Sequence, residues 1–292
     1  MNPKAQQLRE LLTKDQCHIM PCCYDGLTAK MIQQAGFALT FMSGFSVSAA
    51  RLGLPDTGLI SYGEMLDQGK NICNAVSIPV LGDGDTGYGN AMNVHRTVKG
   101  YAQTGFAAVM IEDQVSPKRC GHTQGKLVVD QEEAFERIAA AVDARNEGQD
   151  ILILARTDAR AVHGLDEAIT RGQKFAELGA DILFIEAPES VAEMQTICKE
   201  IPGIQMANII KGGKTPVLSP DELQAIGFKI AAYPLTLISA AMQAIEKSLQ
   251  SLQNGSQPSD MMDFDKVRRI VGFDDYYNEE DRYSTSRRKT TD

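Results

Sequence analysis

Eight short runs of nearly continuous apolar character punctuate the chain, at 17–21, 37–42, 79–81, 107–111, 151–155, 181–185, 204–207 and 228–232. Unbroken apolar character, rather than strict alternation, is what a strand buried on both faces displays. The longer segments between the runs carry helix punctuation. Asp130 with Glu133, Ser190 with Glu193 and Ser219 with Glu222 have capping-box spacing, and Pro220 stands at a first helical position. Gly36, Gly105, Gly148, Gly179 and Gly227 each follow a helical pattern, where a left-handed cap favours glycine. Strand and helix in eightfold alternation predict an α/β protein with a (β/α)8 barrel; an open doubly wound sheet is the structural alternative. The barrel is expected over residues 1–252, with a connection at 43–77 that holds its own helical pattern and covers one side of the barrel mouth. Residues 253–292 read as a polar linker, a helical extension near 262–271 and a disordered polar tail from 284.

Polar residues collect where these runs end. Ser43 and Gly44 follow the second, Asp83 and Asp85 the third, and Glu112 ends the fourth; Arg156 and Asp158 end the fifth, Glu186 the sixth and Asn208 the seventh. In a parallel barrel these ends share one face, the face that carries barrel active sites. Burying so many unpaired polar groups by accident would be costly, so the set points to a site. Asp83 and Asp85, two apart on an extended segment, leave on one side. With Glu112 they form a hard, all-oxygen donor set suited to Mg²⁺ or Mn²⁺. Asp113 and Asp158 have the plainer reading of acids satisfied by Lys or Arg. After Glu112 comes Lys118-Arg119-Cys120-Gly121-His122. Cations beside a thiol favour its thiolate, and such a cysteine is suited to giving and taking protons near neutral pH.

Composition narrows the class. A net charge of −9 argues against nucleic acid and anionic membrane as partners. No run approaches the ~18 apolar residues of a spanning helix, and the polar first ten residues lack a signal core, so a soluble cytoplasmic protein is expected. The six cysteines lack paired metal spacing and read as reduced, mostly buried thiols. Two glycine motifs mislead. Gly82-Asp83-Gly84-Asp85-Thr86-Gly87 matches a dinucleotide fingerprint, but its two acids would repel a pyrophosphate. Gly212-Gly213-Lys214-Thr215 lacks the first glycine of a P-loop, where Asn208 stands. His18, His95 and His163 are isolated and read as structural.

Taken together these residues resemble the isocitrate lyase/phosphoenolpyruvate mutase superfamily, in particular its short members that cleave 2,3-dimethylmalate or 2-methylisocitrate. The motifs carrying the resemblance are Ser43-Gly44, Leu54-Pro55-Asp56, the run from Asp83 to Asn90, Ile111 to Gln114, Lys118 to His122, Ala155 to Asp158, Glu186-Ala187-Pro188 and Gly213 to Pro216. The resemblance implies a Mg²⁺-dependent carbon–carbon lyase that splits a 2-substituted malate, a small di- or tricarboxylate, into an α-keto acid and a carboxylate. It implies Mg²⁺ (or Mn²⁺) held by Asp85 and linked through water to Asp83 and Glu112, and Cys120 as proton donor assisted by Lys118, Arg119 and His122. It implies substrate contacts from Ser43, Gly44, Phe45, Asp56, Gly121, Arg156, Glu186 and Asn208. It also implies a last barrel helix exchanged between subunits of a homotetramer. A phosphonate-forming mutase or an oxaloacetate hydrolase on the same scaffold is the alternative.

Overall fold

In the computed structural model, which describes residues 2–119 and 125–283, eight parallel strands close on themselves. They are β1 (His18–Cys23), β2 (Thr40–Met42), β3 (Val80–Asp83), β4 (Ala108–Glu112), β5 (Leu152–Thr157), β6 (Ile182–Ile185), β7 (Ile204–Asn208) and β8 (Phe228–Tyr233), paired in sequence order with β8 returning to β1. Every apolar run named above contains or overlaps one of them. The second is shorter than expected: residues 37–39 belong to the approach, and pairing begins at Thr40. The chain divides into two compact units, residues 1–239 and 240–292.

Alternation along the strands sorts side chains into the barrel or toward the helices. Met20, Cys22, Phe41, Leu81, Met110, Leu152, Leu154, Ile182, Phe184, Met206, Ile230 and Ala232 form one buried cluster inside it. Their outward neighbours, among them Val80, Val109, Ile111, Ile153, Ala155, Leu183 and Ile185, join a second cluster under the helices. Those helices include α2 (Gly26–Gln34), α4 (Tyr62–Ala75), α5 (Ala91–Thr104), α6 (Gln131–Asn146), α8 (Leu165–Leu178), α9 (Val191–Glu200) and α10 (Pro220–Ile226), with the shorter α3 (Gly44–Val47) and α7 (Ala159–His163) at strand exits. The expected caps form. Glu133 N–H donates to Asp130 and Glu193 N–H to Ser190, and Ser219 with Glu222 makes the full reciprocal box. Gly105 and Gly179 close α5 and α8 at φ 97° and 98°, a left-handed backbone open to glycine at little cost. After α3 the chain turns through a π-helical segment, Ser48–Leu52.

One element was not legible as such. Residues Pro3–Leu12 form α1, capped by Asn2. Leu8, Leu11 and Leu12 on its buried face join the barrel's interior cluster, and the His18 ring nitrogen meets the Leu11 carbonyl at 2.8 Å. This helix therefore closes the N-terminal end of the barrel. Its polar face makes the first ten residues read simply as polar, while the spacing of Ala5, Leu8, Leu11 and Leu12 is that of a buried helical stripe.

In the second unit, most of α11 (Thr236–Gln253) is followed by α12 (Phe264–Val271) and α13 (Phe273–Tyr283). The helix expected near 262–271 is α12; α13 is additional. The tail from 284 lies outside the described residues.

Candidate active site

The interior alternation continues past the apolar layers and changes character at the C-terminal strand ends. Asp83 and Glu112 end β3 and β4, Arg156 is the last inward-facing residue of β5, Glu186 follows β6 and Asn208 ends β7. Asp83, Arg156, Glu186 and Asn208 line a cleft of about 580 Å³, open space at its mouth included, whose walls also include Ser43, Phe45, Asp56, Lys118 and Arg119. Below them Cys22, Phe41, Met110, Phe184, Met206 and Ala232 form an apolar floor.

Gly44 packs directly on Asp83. Its N–H donates to Asp83 Oδ2 at 3.0 Å, and a Cβ at that position would fall 2.6 Å from the same oxygen, so only glycine allows the approach. The other carboxylate oxygen of Asp83 accepts from the Asp85 N–H at 3.1 Å. That bond turns the chain. Asp85 lies at φ 48°, in a left-handed conformation that Asp tolerates better than most residues, so the two acids reach the site by a turn and not by strand alternation. The Asp85 carbonyl accepts from Glu112 N–H at 2.9 Å, and Tyr101 donates its hydroxyl to the Asp83 carbonyl at 2.6 Å.

Lys118 is buried among acids, its ammonium 2.7 Å from Asp56 and 2.8 Å from Asp85. Burial opposes its charge, but Asp85, Asp83, Asp56 and Glu112 outweigh burial and hold its pKa well above the usual lysine range. The acids feel the same burial. It pushes Asp85 up to about 7 despite Lys118, and Glu112 well above the usual carboxylate range despite Arg156 and Lys118. Glu112 Oε1 has no hydrogen-bond partner among the described residues.

Arg156 is the hub of the other half. Its Nε and Nη2 donate to the two carboxylate oxygens of Asp158 at 2.8 and 3.1 Å; Glu112 lies 3.3 Å away and Glu186 3.1 Å. Asn208 donates to Glu186 at 3.2 Å. Burial works against the charge of Asp158, yet Arg156 and Lys126 overcome it and lower its pKa to about 2. Asp113, read as a satisfied acid, is one: it accepts from Thr157, the Asp158 N–H and the fully buried Arg171. Gln114 braces the next segment, donating to the Arg119 carbonyl and accepting from its N–H, both at 2.9 Å.

Ser43, Gly44, Phe45, Asp56, Asp83, Asp85, Glu112, Lys118, Arg119, Arg156, Glu186 and Asn208 are therefore brought to one end of the barrel. Cys120, Gly121 and His122 lie outside the described residues. The five described cysteines are unpaired, and burial pushes Cys23, Cys73 and Cys198 up to about 12, so none of these three is an acid for neutral pH. Buried Lys126, absent from the sequence reading, also belongs to the site's surroundings, 2.8 Å from Asp158.

The donor set fits a hard divalent cation. Asp85, Asp83 and Glu112 offer only oxygen, are buried where free charge is costly, and leave Glu112 Oε1 unsatisfied. Among the described residues no three His, Cys, Asp or Glu stand close enough to hold an ion by themselves. Such an ion would take one or two protein oxygens and complete its shell with water and substrate, the habit of Mg²⁺.

Comparison with known proteins settles the family. The phosphoenolpyruvate phosphomutase family model matches residues 8–253. The chain belongs to this family. It is 42% identical over 287 residues to a 2,3-dimethylmalate lyase of Eubacterium barkeri, covering 97% of this chain and 99% of that one. It is 38% identical to a 2-methylisocitrate lyase of Aeropyrum pernix, over 92% of this chain and 87% of the relative. A crystal structure of oxaloacetate acetylhydrolase bound to 3,3-difluorooxalacetate superposes with a TM-score of 0.92, at 32% identity, covering 95% and 96% of the two chains. The superfamily, the barrel and the enzymatic class expected from the sequence are all met, with named lyases among the relatives. Among the described residues no helix is long and apolar enough to cross a membrane.

Proposed function

We propose that this enzyme is a Mg²⁺-dependent carbon–carbon lyase that splits a 2-substituted malate into an α-keto acid such as pyruvate and a carboxylate. The observation that carries the reading is the juxtaposition of an all-oxygen acidic cluster, Asp83, Asp85 and Glu112, with Arg156, a guanidinium of the kind that takes a carboxylate, in the cleft wall. Asp85 would hold the ion, with Asp83 and Glu112 linked through water. When bound, Mg²⁺ supplies Lewis acidity and a template for the 2-hydroxy acid. Ser43, the Gly44 backbone and Arg156 orient the keto-acid portion, while Glu186 and Asn208 fix the Arg156 side. As the C2 hydroxyl gives its proton to a carboxylate of the acidic cluster, C2 becomes the keto carbon, the C2–C3 bond breaks, and its electron pair stays on C3 as a carbanion beside a carboxylate. Lys118, Arg119 and His122 offset that charge, and Cys120 delivers a proton to the carbon. Phe45 stands in the cleft wall and favours a compact substituent over a third carboxylate.

Assembly and location follow the same reading. Met242, Ile245, Leu249 and Leu252 are exposed along one face of α11, and Phe264, Tyr276 and Tyr283 are exposed beyond it. Apolar area on this scale calls for a protein partner, which supports helix exchange between copies and a homotetramer, tested by light scattering. The five described thiols, unpaired, accord with a reducing cytoplasm.

A coupled keto-acid assay across dimethylmalate, methylisocitrate, citramalate and isocitrate, with Mg²⁺, tests the activity. Release from at least one is expected, and release from none overturns the lyase reading. The likeness to oxaloacetate acetylhydrolase gives the second reading, hydrolysis of oxaloacetate to oxalate and acetate; turnover of oxaloacetate alone selects it. Phosphonopyruvate turnover indifferent to Cys120→Ala would select a phosphonate mutase.

A further inference from the structure

Arg156 faces three carboxylates, and a guanidinium so surrounded is a poor anchor for an anionic substrate unless some of that negative charge is balanced elsewhere. Lys118 offsets part of it at Glu112, and a second buried lysine meets Asp158. The Lys126 ammonium donates to Asp158 Oδ1 at 2.8 Å, and that oxygen is the one that accepts from Arg156 Nη2. Both acid and lysine are buried, so the contact is little screened by water.

The contact is also framed on both sides. The Asp158 backbone N–H donates to Asp113 Oδ1 at 2.9 Å, and Asp113 is held by Arg171 at 3.0 Å. The chain that carries Lys126 is tied to the same frame. Val115 N–H donates to the Leu127 carbonyl and Val129 N–H to the Asp113 carbonyl, Gln114 and Val128 form an antiparallel bridge, and Arg171 donates to the Val129 carbonyl. Asp113 and Arg171 thus set the separation between Lys126 and Asp158. A buried lysine placed this firmly is more than a surface charge folded inward.

We propose that Lys126 is a positioning residue for the carboxylate clamp: acting through Asp158, it fixes the plane of the Arg156 guanidinium and leaves that group enough net positive charge to hold a substrate carboxylate. The role rests on the reading of Arg156 as the keto-acid clamp. Without the lysine, Asp158 turns its whole charge on Arg156, and the cleft becomes one unit more negative toward an incoming anion. Outer groups that orient a ligating side chain commonly change affinity about 10–100-fold when removed.

Calorimetry with oxalate in the presence of Mg²⁺, on the full chain, reads this without requiring turnover. Lys126→Met is expected to raise the oxalate Kd about 10–100-fold, and the KM of any substrate found with it, while kcat changes less than about threefold. In an Asp158→Asn background the same substitution should change the Kd by less than about threefold, because the residue through which the lysine acts is gone. A structural role alone would lower the melting temperature without this split between KM and kcat, and its effect would persist in the Asp158→Asn background. Should Lys126→Met fail to fold, Asp158→Asn by itself must shift the oxalate Kd, since it changes both the charge on Arg156 and the hold on its plane, and an unchanged Kd there overturns the proposal. An unchanged Kd in folded Lys126→Met overturns it too, while leaving the lyase reading intact. Wild-type protein that binds oxalate with this dependence yet cleaves no hydroxy acid overturns the lyase reading and keeps the clamp. Wild-type protein that binds no oxalate removes the clamp and the role together.

Discussion

The two ends of this barrel are made from the same strands and the same alternation, yet they do opposite things. At the N-terminal end the inward residues are Met20, Leu152, Ile182 and Ile230, sealed by Leu8 and Leu11 of α1. A few residues along, the inward series reads Asp83, Glu112 and Arg156, continued by Glu186 and Asn208. The first end gains free energy from every side chain it buries. The second holds groups that burial disfavours: Asp85 is pushed up to about 7, and Glu112 lies well above its usual range. Stability is therefore concentrated at one end of the barrel and chemistry at the other, where strain between burial and charge is offset by ion pairs and by whatever binds.

The sharpest break in that comparison is at Asp85. Asp85→Ala removes an oxygen donor from the chemical end, so Mg²⁺ affinity and turnover should fall together, turnover by ~10³-fold, since metal assistance is worth several kcal/mol. The fold should hold, because the lost group was an unfavourable one to bury. Isothermal titration with Mg²⁺ beside a keto-acid assay checks both. A variant that binds Mg²⁺ as the parent does would move the ion elsewhere.

The matching break at the other end is Leu8→Ala. Leu8 is fully buried, and its truncation should cost about 2–5 kcal/mol in urea unfolding, with turnover per folded molecule unchanged. A cost under ~1 kcal/mol would mean that α1 does not seal the barrel.

This contrast also separates what was legible in the chain from what was not. All eight strands were visible because a strand buried on both faces has a continuous apolar signature, and the strand-end acids were visible because polarity at the end of such a run is conspicuous. The seal was missed because Leu8, Leu11 and Leu12 sit among Lys4, Gln6, Gln7, Arg9 and Glu10. Asp85 was expected on a strand and lies in a turn, because the Asp83 side chain captures its N–H. The pairing of Lys126 with Asp158 spans 32 residues and has no local pattern, so only the closed barrel reveals it. Lys118 was legible as a cation beside Cys120, but its burial between Asp56 and Asp85 was not.

A smaller effect sharpens the electrostatic side. The pKa of Asp158 is lowered to about 2 from an ordinary value of 3.8, since Arg156 and Lys126 together outweigh its burial. A carboxyl whose folded value is depressed stabilises the protein above its unfolded value and loses that contribution as pH falls toward the folded one. The window is thus about pH 4 down to about 2, and its size is about 2 kcal/mol. Urea midpoints between pH 5 and 2.5 should fall less steeply in Asp158→Asn than in the parent. Parallel slopes would contradict the assignment.

The central claim is that a metal-bearing acidic half and a proton-donating cysteine loop cooperate at the chemical end. Keto-acid release by Cys120→Ser, on whichever hydroxy acid the wild-type enzyme cleaves, tests it most directly. A serine hydroxyl is a far weaker acid than a thiol beside two cations, so the rate should fall ~10²–10⁴-fold while Mg²⁺ and oxalate still bind. Release near the wild-type rate would contradict the account and pass the proton-donor role to Lys118 or His122.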